Sequence, residues 1–140
     1  MISRKHRNAV RGLLLFLIVL DVVLSTLALC YPETWFKIFH GVAYVDPQGL
    51  LRRTGALWVA FTLLQTIAFF RWEREPYWLA LVAGVRLTEL FSDWTYLYFA
   101  SHITTSGRIG LLIAPPGNLL FGWYLIRSYL KAVGNGRDAS

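Results

Sequence analysis

Apolar residues run along this chain in four long blocks, at about 12–30, 54–70, 77–100 and 109–126, and the stretches between them gather most of the charges and histidines. Each block is close to the ~17–25 residues a helix needs to cross bilayer hydrocarbon, and each is apolar almost all round, whereas a soluble helix keeps one polar face. The pattern predicts an all-α fold: an integral membrane four-helix bundle forming a single domain, 1–140, with spans at about 12–30, 54–70, 77–100 and 109–130.

The connecting segments have patterns of their own. Trp35, Phe36, Ile38 and Phe39 recur at i, i+1, i+3 and i+4, which predicts a short amphipathic helix on the outer surface, ended by Gly41. Asp46-Pro47-Gln48-Gly49 reads as a turn into the second span. Arg71-Trp72-Glu73-Arg74-Glu75-Pro76 is so short a loop that spans two and three are expected to be antiparallel neighbours. Pro115-Pro116-Gly117-Asn118 predicts a broken fourth span, irregular or a short separate turn over 110–114 and helical from near Pro116 to about Leu130, because proline removes backbone donors. The last residues, 134–140, read as a frayed tail.

Composition supports a membrane class, with 56% hydrophobic and 16% charged residues. The net charge of +6 raises nucleic acid as a partner, and the distribution of the basic residues argues against it. With the N-terminus cytoplasmic, Arg4, Lys5, Arg7, Arg11, Arg71, Arg74, Arg127, Lys131 and Arg137 fall inside, and Lys37, Arg52, Arg53 and Arg108 outside. Nine against four, with Arg86 left in the membrane, accounts for all fourteen and predicts a multi-pass inner-membrane protein with both termini cytoplasmic. The Arg4-Lys5-His6-Arg7 cluster is expected to attract anionic lipid weakly. Leu27-Ala28-Leu29-Cys30 looks like a lipoprotein cleavage box, but Leu29 is not small and Asp21 interrupts the apolar run, so the first block is expected to be a retained span. With one cysteine, the chain forms no internal disulfide and no cysteine-rich metal site.

The candidate chemistry lies inside the spans. Arg86, Glu89 and Asp93 stack within about 60° of one another on the third span and must face protein or water, since a charge facing lipid costs at least ~2.5–3.5 kcal/mol. At ~1.5 Å per residue Asp21 and Arg86 both lie ~13–14 Å above the inner boundary, which predicts an ion pair. The same count puts Arg53 at ~25 Å and Asp93 at ~24 Å, a second expected pair with Arg52 as a substitute. Glu89, at ~18 Å, is left level with Asn118 and above Gln65 and Thr62. The two pairs read first as clasps that fix helix register. Two readings of Glu89 stay open: a candidate catalytic group acting as proton relay or general acid, or a neutral carboxyl bonded to Asn118 or to a backbone carbonyl. Pro115-Pro116-Gly117-Asn118 is either a structural kink capped by Asn118 or a helix N-terminus aimed at an anion or a carbonyl oxygen. His40 and His102 share the outer side without a ligand motif, so no metal is expected. No phosphate-cradling glycine loop, HExxH, GxSxG or redox cysteine pair occurs, and no cofactor is identified.

The amphipathic outer segment, Leu51-Arg52-Arg53-Thr54-Gly55-Ala56-Leu57 entering span two, the acids of span three and Pro-x-x-Asn-Leu in span four together resemble small four-span bacterial membrane proteins, DoxX-like and uncharacterised families. The resemblance implies a membrane bundle and brings no catalytic residue. The reading that follows is a non-catalytic membrane protein, an accessory or small-ligand-binding component with a buried charge cluster of Asp21, Arg53, Gln65, Arg86, Glu89, Asp93 and Asn118. Its partners are the lipid bilayer and either other membrane subunits or a lipophilic small molecule. A membrane-embedded enzyme acting on a lipid, isoprenoid or quinone substrate is one alternative, and it requires an apolar cavity beside Glu89. A small proton or cation transporter is the other.

Overall fold

A computed structural model describes residues 3–137. Among them the chain is all-helical: α1 (Arg4–Cys30), α2 (Pro32–Phe39), α3 (Leu50–Arg71), α4 (Tyr77–Phe99) and α5 (Thr105–Arg137). α1, α3 and α5 are long and apolar enough to cross a membrane. α4 matches them in length at 23 residues, but Arg86, Glu89 and Asp93 interrupt its apolar character. The outer surface is greasy: Phe16, Leu63, Phe70, Phe91, Leu120 and Trp123 are all more than half exposed. Exposure of that kind is what hydrocarbon, rather than water, tolerates around a helix.

Local chemistry fixes the helix ends. The Ser3 hydroxyl accepts from the His6 N–H and caps α1. α2 begins at Pro32, whose missing N–H costs nothing there, and carries Glu33 in its first turn and Lys37 in its last, both favourable to the helix dipole. The N–H groups of His40 and Gly41 both reach the Phe36 carbonyl, and Gly41 takes a φ of +66° that an L side chain resists. Asp46 then caps α3 with both oxygens, 2.8 Å from the Leu50 N–H and 3.0 Å from that of Leu51, across a turn closed by Gly49 at φ +66°. α3 therefore starts four residues before the expected 54.

α5 corrects the expected break. It runs without interruption from Thr105, through Pro115 and Pro116, to Arg137, so 110–114 is helix and so is the part of the tail up to Arg137. Residues 138–140 lie outside the described residues. The physical reason is that proline's fixed φ of about −65° is itself helical, and only the two donors to the Leu111 and Leu112 carbonyls are lost. No helix N-terminus aimed into the fold forms here, and the Asn118 amide donates to Asp93 rather than capping a helix end.

The helices pack chiefly as two pairs, α1 against α3 and α4 against α5, and α3 meets α4 less extensively. A glycine sits at each close approach: a Cβ on Gly55 would lie 3.0 Å from Ala28 and Leu29, and one on Gly122 would lie 2.9 Å from Leu87. One apolar core joins the pairs near the chain termini, where Val10, Leu14, Leu17, Ala68, Trp72, Leu79, Val82 and Leu125 are buried. A smaller cluster of Ala28, Trp35 and Trp58 seats α2 at the opposite end. The α3–α4 loop is tied down by Glu73, 2.8 Å from Arg11, and by Glu75, which accepts from the Trp78 indole at 2.8 Å and the Tyr77 hydroxyl at 2.9 Å. Those two hydrogen bonds hold the Glu75 carboxyl below the usual carboxylate range and keep it charged.

Candidate functional site

Three helices meet at Asp21. The side chain is fully buried, and its Oδ2 accepts from the Arg86 guanidinium of α4 and, at 2.7 Å, from the Gln65 amide of α3. Arg86 is 2% exposed and Gln65 0%, so the group lies out of reach of solvent and lipid alike. It is an ion pair braced by a neutral donor, and it spans the seam between the two helix pairs. The expected Asp21–Arg86 contact thus exists, and Gln65 belongs to it rather than to the space below Glu89. The arrangement is under-satisfied, because Asp21 Oδ1, Gln65 Oε1 and Arg86 Nε have no hydrogen-bond partner among the described residues.

Glu89 stands one turn further along α4, half-buried, and accepts a long 3.5 Å hydrogen bond from the Trp58 indole of α3. The expected partners, Asn118 or a backbone carbonyl, do not supply that bond. Asn118, buried at 7% exposure, donates instead to Asp93 Oδ2 at 3.3 Å. Thr62 turns back onto its own helix and donates to the Trp58 carbonyl at 2.9 Å.

The second expected ion pair does not form. Arg53 is exposed, as is Arg52, and neither makes a salt bridge among the described residues. Depth along the helix agrees, but direction around it does not. On α3, Trp58 and Gln65 define the inward face, and Arg53 sits ~140° and ~120° of helical rotation from them. Its side chain consequently leaves the fold while Asp93 faces α5. The structure therefore gathers Asp21, Gln65 and Arg86 into one cluster, places Glu89 and Asp93 each on a single neutral donor, and excludes Arg53.

Among the described residues no group of three histidine, cysteine or carboxylate side chains could hold a metal ion. His40 is fully employed otherwise. Its Nδ1 donates to the His102 carbonyl at 2.5 Å, which leaves Nε2 to accept from the Tyr96 hydroxyl. This contact joins positions 56 and 62 residues apart, and no spacing rule in the sequence announces it. Trp58 as the partner of Glu89 escaped for a similar reason, since an interfacial tryptophan looks like a lipid anchor until its azimuth is known.

Two surface grooves flank this region. One, about 480 Å³, runs along Thr88, Phe91, Ser92, Thr95, Tyr96 and Phe99 of α4; the other, about 450 Å³, lies among Glu33, Lys37 and residues 41–44. Neither is lined by Glu89, Asp93 or Arg86. Chemically, the centre can hold a neutral ion pair and offer two carboxyls that bind or release protons. No family model matches the chain, and comparison with curated proteins and with solved structures finds no significant similarity.

Proposed function

We propose that the chain is a non-catalytic, four-span protein of the inner membrane, an accessory or small-ligand-binding component whose buried charges fix how its helices associate. The observation that carries this reading is the fully buried Asp21–Gln65–Arg86 cluster, which draws one side chain from each of α1, α3 and α4. α4 is the fourth crossing because its charges have partners on the inside: Arg86 meets Asp21, Asp93 meets Asn118 and Glu89 meets Trp58. A helix whose ionisable groups all turn inward crosses lipid at much lower cost than its composition suggests. The excess of basic residues at the end where α1 starts and α5 finishes supports cytoplasmic termini. The likeness to DoxX-like proteins rests on the same pattern of spans.

Topology follows directly. Cys30, the single cysteine, is exposed at the far end of α1. A membrane-impermeant maleimide added to intact cells is expected to label Cys30, while a C-terminal tag stays protected from external protease. Tag and Cys30 both accessible from outside would mean three crossings and end the four-span reading.

A proton or cation transporter is the second reading, favoured by Glu89 and Asp93, which make no salt bridge among the described residues. Proteoliposomes decide between the two. The accessory role predicts proton flux no greater than that of empty vesicles, unchanged by Glu89→Gln and Asp93→Asn. A flux that either substitution abolishes replaces it with transport.

A further inference from the structure

At the end of the molecule where α1 begins and α5 finishes, His6 packs on Tyr124 with ring centroids 5.7 Å apart, and the Tyr124 hydroxyl lies 3.4 Å from His6 Nδ1. His6 precedes the apolar run of α1. Burial, together with the nearby positive charges of Lys131 and Arg127, holds its pKa below the ordinary imidazole value. When the imidazole accepts the tyrosine proton at Nδ1, it carries its own hydrogen on Nε2. That Nε2 is buried and has no hydrogen-bond partner among the described residues. A donor in that position needs an acceptor.

The side chains around it are donors too. Tyr124, Arg127 and Lys131, at i, i+3 and i+7, share one face of α5. The two carboxylates described at this end are already engaged: Glu73 pairs with Arg11 and Arg7, and Glu75 with Arg71. Arg127 and Lys131 have no carboxylate partner among the described residues. Arg127 lies over the indole of Trp123, 5.4 Å from the ring centroid, and Trp123 is exposed as an interfacial aromatic should be. Stacking of this kind uses the face of a guanidinium and leaves its N–H edge for other partners.

We propose that His6, Arg127 and Lys131 form a binding site for a phosphate group, supplied either by the headgroup of an anionic phospholipid or by soluble phosphate. The arginine fork meets two phosphate oxygens and the lysine adds a mobile point charge, while His6 Nε2, covered in the fold without ligand, reaches a third oxygen when its ring turns toward the phosphate. The buried charge cluster plays no part in this site, so its failure and the failure of the accessory reading are separate results.

The full chain in nonionic detergent, its thermal unfolding followed with phosphatidylglycerol, phosphatidylcholine or inorganic phosphate, tests the site. Phosphatidylglycerol or phosphate is expected to raise the unfolding midpoint, and phosphatidylcholine to do so less at equal mole fraction. Response to phosphatidylglycerol alone assigns a lipid headgroup; response to inorganic phosphate alone assigns a soluble ion. Removing both cations in Arg127→Gln/Lys131→Gln should weaken apparent affinity by about tenfold or more. Arg71→Gln/Arg74→Gln removes equal charge from exposed positions at the same end and should keep the wild-type response. In the unaltered chain, NMR titration of His6 should show its midpoint rise when the probe saturates, because an adjacent anion favours the imidazolium. The proposal is overturned if neither phosphate source acts, if both double variants lose affinity equally, or if the His6 midpoint stays fixed under saturation.

Discussion

Arg86→Ala is expected to lower stability by about 3–5 kcal/mol, the range for stripping one partner from a buried ion pair. The cause is Asp21, which is fully buried and would be left with Gln65 alone. Unfolding of membrane proteins in detergent is often irreversible, so the practical readout is the midpoint of a thermal scan at fixed rate. Asp21→Asn with Arg86→Gln should cost less than the sum of the two single changes, with a coupling of about 0.5–3 kcal/mol. Strict additivity would show that the two side chains do not act as a pair.

Gly107→Ala carries the next largest effect. Thr104 caps α5 by accepting from the Gly107 N–H at 3.0 Å, and its own hydroxyl donates to the Ile38 carbonyl at 2.5 Å. α5 therefore starts directly against the end of α2. A Cβ on Gly107 would sit 2.6 Å from the Phe39 carbonyl oxygen and 3.1 Å from its Cα, and backbone cannot rotate aside as a side chain can. The expected loss is about 1–3 kcal/mol, the usual cost of overpacking, even though alanine is ordinarily the better helix former. Gly110→Ala is the internal control. There the nearest atom would be the Phe39 ring at 3.8 Å, an ordinary contact, so stability should hold or rise slightly. Equal midpoints for the two variants would refute the claim that α2 and α5 are in forced contact.

Several of these features could be read in the linear sequence, and the exceptions have physical reasons. Asp21 and Arg86 are pairable by counting because both sit nine residues into blocks that run in the same direction, and a helix converts residue number into depth. Counting fails for Arg53 and Asp93 because depth says nothing of azimuth, and α3 spends its outer inward face on Trp58. Asp46-Pro47-Gln48-Gly49 announces its turn through chemistry that acts within five residues. The doubled proline misleads for the opposite reason, since its local rule describes soluble helices in which water competes for the freed carbonyls. In an apolar setting the chain has no such competitor and gains most by remaining helical. His40, Tyr96 and His102 meet through space alone, where sequence carries no signal.

The order of synthesis gives the Asp21 cluster a further meaning. A ribosome makes α1 and α3 before α4, and Arg86 follows Asp21 by 65 residues. Gln65 follows Asp21 by 44 residues, so of the two donors to the carboxyl it is the first to be made. Both donors bond the same Oδ2, so the amide offers the acid a neutral partner that is synthesised before its counter-charge.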